Sequence, residues 1–238
     1  MATQEYFALT AEESRHAYKP KDPQEVEVNN HIENHPLVKS LRSNPLYVES
    51  RPTLRIADKY RHTSFTAGTL SGPNKIVVPP ITFLETGGKS IVQVFYLGEN
   101  VCGHPGFIHG GILATVLDEA LARCSFGALP NKIAMTANLT VNYRQPSPAK
   151  SYLVLRGRTT KVEGRKAWVE GRIETLVGEG EEPTLLVEAS ALMIEPRQAA
   201  VRPNNPLSSF YPFEWGFANR MMAVIGETLP GISVGVGD

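Results

Sequence analysis

The stretch GHPGFIHGGILATVLDEALA, residues 103–122, concentrates the groups in this chain that are able to do chemistry. Gly110 and Gly111 stand where an apolar periodic run begins, so they occupy the first positions of a helix. The first N–H groups of a helix lack intrahelical acceptors and carry the positive end of its dipole, and a residue without Cβ lets a ligand carbonyl come close to them. Such a turn suits the oxyanion that develops in acyl transfer. A glycine pair equally suits tight packing of helix on sheet, and the residues alone leave both readings open. Asp118 follows two turns later, between Ala114 and Ala122 at four-residue spacing, so its carboxylate projects over small side chains with room for a ligand. There it is placed to take a proton from water or to attack a carbonyl carbon itself. The alternative is that Asp118 and Glu119 form the solvated face of an amphipathic helix. Glu119, about 100° round that helix, points away from the glycine turn.

These groups need a helix and a surface for it to rest on. Ile112, Leu113, Val116, Leu117, Ala120, Leu121 and Cys124 recur at three- and four-residue spacing, the stripe of a buried helix, which Gly127 and Pro130 should end. Strand-like runs begin at Ile76, with 91–97 the clearest. After the helix the period becomes two: Ala137, Leu139, Val141 and Tyr143 alternate with Asn138, Thr140, Asn142 and Arg144. Further strands are predicted over 152–162, 166–175 and 185–194, the first two joined by the glycine-containing hairpin 163–165. The fold class is therefore α+β, an antiparallel sheet curled around one central helix, over residues 75–196. Residues 1–74 read as a helical and irregular arm. Asp22-Pro23-Gln24-Glu25 has the residue types of a capping-box helix start, and Pro36 and Pro45 keep that helix short. Residues 197–238 form a tail with Phe210, Tyr211, Phe213 and Trp215, too short for its own core and expected to pack on the domain or on a partner subunit.

Composition narrows the function. Lys plus Arg and Asp plus Glu both number 24, so no net field draws the chain to nucleic acid. Cys102 and Cys124 are too few for a disulfide framework and lack the Cys-x-x-Cys spacing of a zinc site, which indicates a reducing compartment. The histidines have no common ligand spacing, so no metal and no cofactor are expected. There is no Gly-x-Ser-x-Gly elbow for a Ser-His-Asp route. No apolar run is long enough to span a bilayer. The first twenty residues carry three acids and no apolar core, so they resemble neither a secretory signal nor a transit peptide, and the chain reads as cytoplasmic. Lys161, Arg165 and Lys166 cluster at the hairpin, where they either meet phosphates or merely keep a turn soluble.

His109-Gly110-Gly111, followed by Ala114-Thr115 and by an Asp nine residues after the His, resembles the signature of hotdog-fold acyl-CoA thioesterases. With TANLTVNYRQPSP at 136–148 and KVEGRK at 161–166, the likeness extends to the PaaI-like branch that includes the carboxyl-terminal modulator protein thioesterases. It covers residues 75–196. The resemblance implies a homodimer or a dimer of dimers, with sheets joined edge to edge, central helices facing, and two sites at the interface. It implies that Asp118 is the catalytic carboxylate, that Gly110 and Gly111 polarise the carbonyl, that His109 shapes the turn, and that Thr136 orients the water or nucleophile. Some relatives carry an Asn where this chain has Gly103, so that polarising side chain is absent, and His104 is a candidate substitute. Asn138 and the hairpin cations Lys161, Arg165 and Lys166 join His104 as candidate contacts to an acyl thioester on coenzyme A or a carrier protein. Two other readings stand beside hydrolysis. One is a hotdog dehydratase or hydratase using His104 and Asp118, which the paired glycines and the missing Asp-x-Asn-Pro run disfavour. The other is an acyl-thioester binding protein without turnover.

Overall fold

The computed structural model describes residues 7–200. The expected tail residues Phe210, Tyr211, Phe213 and Trp215 lie outside them. The central feature is helix α6, Gly110–Phe126, lying on an antiparallel sheet, as the sequence predicts. Shorter elements precede the main sheet strands: α1 (Ala11–Ala17), α2 (Pro23–Asn34), α3 (Pro36–Ser43), strand β1 (Tyr47–Ser50), and the single-turn helices α4 (Pro52–Arg55) and α5 (Asp58–Arg61). Then come β2 (Ile81–Glu85), β3 (Ser90–Leu97), the small hairpin β4 (Cys102–His104) and β5 (Phe107–Ile108), and, after α6, β6 (Met135–Tyr143), β7 (Ser151–Glu163), β8 (Lys166–Thr175) and β9 (Leu185–Ile194). The seven-stranded order is β1-β2-β3-β7-β8-β9-β6, with every neighbouring pair antiparallel.

Strand β3 shows how one sheet serves two cores. Ile91, Phe95 and Leu97 pack with Leu113, Leu117 and Leu121 of α6, while Val92, Val94 and Tyr96 point to the other face against Val28, Ile32, Val38 and Leu41 of α2 and α3. Successive side chains of a strand alternate sides, so a continuous apolar run signals burial on both. The arm therefore covers the outer face of half the sheet. It also contributes β1, a strand that the reading of residues 1–74 as helical and irregular did not contain; Tyr47 to Ser50 pair with Glu85 to Thr82. Four residues are too few for a period-two pattern to register.

Asp22 caps α2 by accepting from the Glu25 N–H, with Pro23 in the first turn. Glu25 does not complete a capping box: its carboxylate accepts instead from the Lys21 N–H and the Tyr18 hydroxyl. The α2–α3 corner is a single residue, His35, whose Nδ1 accepts from the Leu37 N–H and whose Nε2 lies 3.0 Å from the Val177 carbonyl. At the buried heart of the arm the Arg51 guanidinium donates to Glu33, Asn29 and the Pro79 carbonyl. The β7–β8 hairpin turns through Gly164 and Arg165, with φ +55° at Gly164, the first loop position, as a type II′ turn requires.

Helix α6 ends at Gly127, though not by a left-handed cap: Gly127 has φ −62° and ψ −23°. The absent side chain is needed for another reason. A Cβ there would sit 2.6 Å from the Gly88 N, so the glycine lets the helix end close onto the β2–β3 turn.

Candidate active site

The α6 N-terminus is held from several sides. His109 is its N-cap, and the Nδ1 of its ring accepts from the Gly111 N–H at 2.9 Å. A neutral imidazole that accepts at Nδ1 carries its proton on Nε2, so this bond selects the tautomer. Behind it, the His109 N–H donates to the Val101 carbonyl and the Ile108 N–H to the Ser147 carbonyl, which seats the β4–β5 hairpin under the turn. The Tyr143 hydroxyl, at the end of β6, donates to the Gly110 carbonyl at 2.9 Å.

Both glycines have steric reasons to be glycine. A Cβ on Gly110 would meet the Tyr143 ring at 3.0 Å, and one on Gly111 would meet His109 Nδ1 at 2.9 Å. Their N–H groups differ, however. That of Gly111 is taken by His109, whereas that of Gly110, at the first helical position, has no acceptor among the described residues. The expectation of two polarising glycines therefore reduces to one open donor, Gly110, with the helix dipole behind it. Gly103 is also explained: a Cβ there would lie 3.1 Å from His109 Cδ2, so a larger residue would press on the capping ring. His104 is exposed on the β4–β5 hairpin, opposite Phe107.

The two neighbouring carboxylates of α6 separate in the structure. Glu119 accepts from the Thr66 hydroxyl at 2.9 Å and from Arg123 at 3.1 Å, tying the helix to the arm. It is an anchored residue, not a free one on a solvated face. Asp118, partly buried on its own side of the helix, makes no hydrogen bond or ion pair among the described residues. Cys124, further along the same helix, is no rival nucleophile: burial pushes its thiol up to about 11, so it stays protonated at neutral pH.

Thr136 faces the α6 side of β6, its hydroxyl 3.5 Å from Met193 Sδ. A bulge follows, and Asn138 pairs with Leu192 on the opposite face. There Lys161, Trp168, Leu192 and Asn138 form a cross-strand row over β7, β8, β9 and β6, beside an open groove of about 460 Å³. Lys161 Nζ lies 5.0 Å from the Trp168 ring centre and pairs with Glu163, while Arg165 donates to the Glu195 carbonyl. Lys166 is exposed at the hairpin. Within the chain, then, Asn138 and Lys161 line the same groove on the sheet face away from α6, with β8 and β9 between them, while Asp118, Thr136 and the glycine turn share the α6 side. The residue that sequence reasoning missed is Tyr143: its place in the apolar alternation marked it only as core-facing.

A family model described as the thioesterase superfamily matches residues 105–181, from the β4–β5 hairpin through β8. A UPF0644 protein of Schizosaccharomyces pombe is 36% identical over 193 residues, covering 78% of this chain and 73% of that protein. The acyl-coenzyme A thioesterase THEM4 of Mus musculus is 38% identical over 120 residues, 50% of this chain and 47% of its own length, so the match spans about half of that protein. A protein of Candida albicans named as mitochondrial is 33% identical over 141 residues, 59% of this chain and 63% of its own. That relative overturns the cytoplasmic assignment. Two cysteines without a disulfide between them do not specify one compartment. Among the described residues no helix is long and apolar enough to cross a membrane. The matched segment contains the His109–Gly110–Gly111 turn and Asp118, and the identity extends beyond it over most of a full-length relative: the chain belongs to the thioesterase superfamily.

Proposed function

We propose that the protein hydrolyses acyl thioesters, with acyl-CoA as the substrate class, at a site completed by two protomers. The observation that carries the reading is the pair of unsatisfied groups on α6, the Gly110 N–H and the Asp118 carboxylate. Their spacing requires the second copy. Eight residues of helix separate them by about 12 Å along the axis, whereas a reacting carbonyl must lie roughly 3 Å from its oxyanion donor. One helix therefore does not bring both to the same carbonyl. A facing α6 running the other way sets the Asp118 of one protomer against the Gly110 of the next.

Strand β6 supports the same arrangement. Among the described residues it pairs only with β9, leaving its other edge open, and Met135 and Tyr143 at its two ends are 64% and 53% exposed. An open edge strand presents unpaired backbone groups and is a pairing surface. Thr136 lies seven residues, or about 23 Å, from Tyr143 along β6, and Tyr143 is the residue that touches Gly110. Antiparallel pairing of two β6 edges about a two-fold axis returns Thr136 of one protomer to the glycine turn of the other.

In this site the Gly110 N–H and the α6 dipole polarise the thioester carbonyl. Asp118 either deprotonates a water that adds to the carbonyl carbon or adds to it directly. Collapse of the tetrahedral intermediate expels the thiolate, which is protonated, and leaves the free acid, in the second route after hydrolysis of an anhydride. Release of free thiol from acetyl-, octanoyl-, palmitoyl- and phenylacetyl-CoA, followed with a chromogenic thiol trap, tests the proposal. Turnover of at least one that disappears in Asp118→Asn is expected. Hydration or dehydration without thiol release, or binding of these thioesters without turnover, would refute it.

A further inference from the structure

We propose that Tyr143 is a positioning residue for the reaction, holding the peptide that orients the oxyanion donor; this rests on the reading of Gly110 as that donor. Two consecutive glycines make a soft start to a helix, because neither has a Cβ to restrict its backbone. A donor on so soft a turn stabilises a developing charge only if something else fixes it in advance. The contacts around the turn do so peptide by peptide. The 109–110 peptide, which bears the Gly110 N–H, is held through its carbonyl, accepting from the Ile112 N–H at 2.9 Å. The 110–111 peptide is held at both ends, its N–H by His109 Nδ1 and its carbonyl by the Tyr143 hydroxyl, each at 2.9 Å. The face of the Tyr143 ring also closes on Gly110, where an added Cβ would find the ring's Cε1, Cζ and Oη at 3.0 to 3.2 Å. The Gly110 N–H is the polar group of the turn left over by this arrangement.

Global stability gives no sufficient reason for the bond. Tyr143 is 53% exposed, and a hydrogen bond made by so exposed a side chain adds little to stability because water competes for it. What water would not do is hold the peptide plane still. Tyr143 also sits on β6, the strand whose open edge is proposed to meet a second copy, so the same side chain couples the seating of that edge to the geometry of the donor.

Tyr143→Phe removes the hydroxyl and keeps the ring. Its kcat on the best-turned-over acyl-CoA of the panel should fall about three- to ten-fold, the net worth of one hydrogen bond, with KM and melting temperature nearly unchanged. A second measurement does not depend on turnover. In the Asp118→Asn background, the carbonyl ¹³C shift of bound [1-¹³C]octanoyl-CoA reports carbonyl polarisation, and adding Tyr143→Phe should move it toward the value in free solution. Wild-type kcat and an unmoved carbonyl shift, with Asp118→Asn inactive, overturn the role of Tyr143 while leaving the hydrolytic reading standing. A loss of kcat that tracks a fall in melting temperature also overturns it, as a structural effect. An Asp118→Asn enzyme as active as wild type sinks the underlying reading and this inference with it.

Discussion

Replacing Gly110 with proline removes one atom of consequence, the amide hydrogen proposed to polarise the thioester carbonyl, at a position where proline otherwise fits. Gly110 is the first helical residue, where the missing N–H breaks no helix bond and a fixed φ is favourable. Proline also restricts the residue before it to extended geometry, and His109 already has φ −62° and ψ 126°. The one crowded contact is the Tyr143 ring, 3.0 Å from the new Cβ, and a ring 53% exposed has room to move by a few tenths of an ångström. Folding stability should thus change by no more than about 1 kcal/mol. The rate should not escape so lightly. Loss of one oxyanion donor costs about 10²- to 10³-fold in kcat, or roughly 3–4 kcal/mol of barrier. Gly110→Ala supplies the same Cβ and keeps the N–H, so its loss should stay within about ten-fold. Thiol release at saturating acyl-CoA, with a thermal melt of each variant, makes the comparison. A folded Gly110→Pro enzyme with more than about a third of wild-type kcat, or one no worse than Gly110→Ala, would show that the donor is elsewhere. The same variant tests the shared site. Co-refolded with Asp118→Asn protomers in equal amounts, it should recover about a quarter of wild-type activity, because half of the dimers are mixed and each mixed dimer holds one intact site. Recovery of none would place both groups in one protomer's site.

Asp118→Asn should cost about two to four orders of magnitude in kcat with little change in melting temperature, since it removes a charge with no partner among the described residues. Glu119→Gln loses the ion pair to Arg123 but keeps an acceptor for Thr66, so stability should drop by less than about 1 kcal/mol and turnover should stay within two-fold, checked by urea melts and the thiol assay. The His35 ring bonds the Leu37 N–H at Nδ1 and the Val177 carbonyl at Nε2, a pairing open only to the neutral form, and burial lowers its pKa. Its contribution is therefore full above the unfolded-state pKa of about 6.5 and is lost as pH falls from there toward the lower folded value. Wild type should lose more urea stability than His35→Gln between pH 7.5 and 5.5, and equal losses would refute the assignment.

The central helix and five of the sheet strands, β3, β6, β7, β8 and β9, were legible from pattern: a period of 3.6 for the stripe from Ile112 to Cys124, a period of two for β6, and a double-sided apolar run for β3. The hairpin through Gly164 was legible because a positive φ calls for glycine. Strand β1 was not, since four residues between Pro45 and Pro52 carry no period, and neither was the docking of α2 and α3, which depends on the partner face that β3 presents. The glycine pair was legible as a place but not in its division of labour. That Gly111 caps onto His109 while Gly110 stays open follows from one side-chain rotamer, which composition and spacing do not encode.

Asp118 and Glu119 make the limit sharper, because adjacent acids on one helix differ in sequence only by a methylene. What separates them is Thr66, 53 residues earlier in the chain, whose hydroxyl reaches Glu119. Arg123, one turn along on the same helix, holds the other carboxylate oxygen. Both partners lie on the side of α6 that faces the arm, and that side leaves no carboxylate oxygen of Glu119 without a donor. About 100° round the helix, Asp118 stands between Ala114 and Ala122, with small side chains and no donor among the described residues. An unpaired carboxylate partly withdrawn from water is unfavourable unless a water, a substrate or a second chain completes its surroundings. The arm thus separates the two acids: it occupies the one that faces it, and it leaves without a partner among the described residues the one that the proposed site gives to substrate.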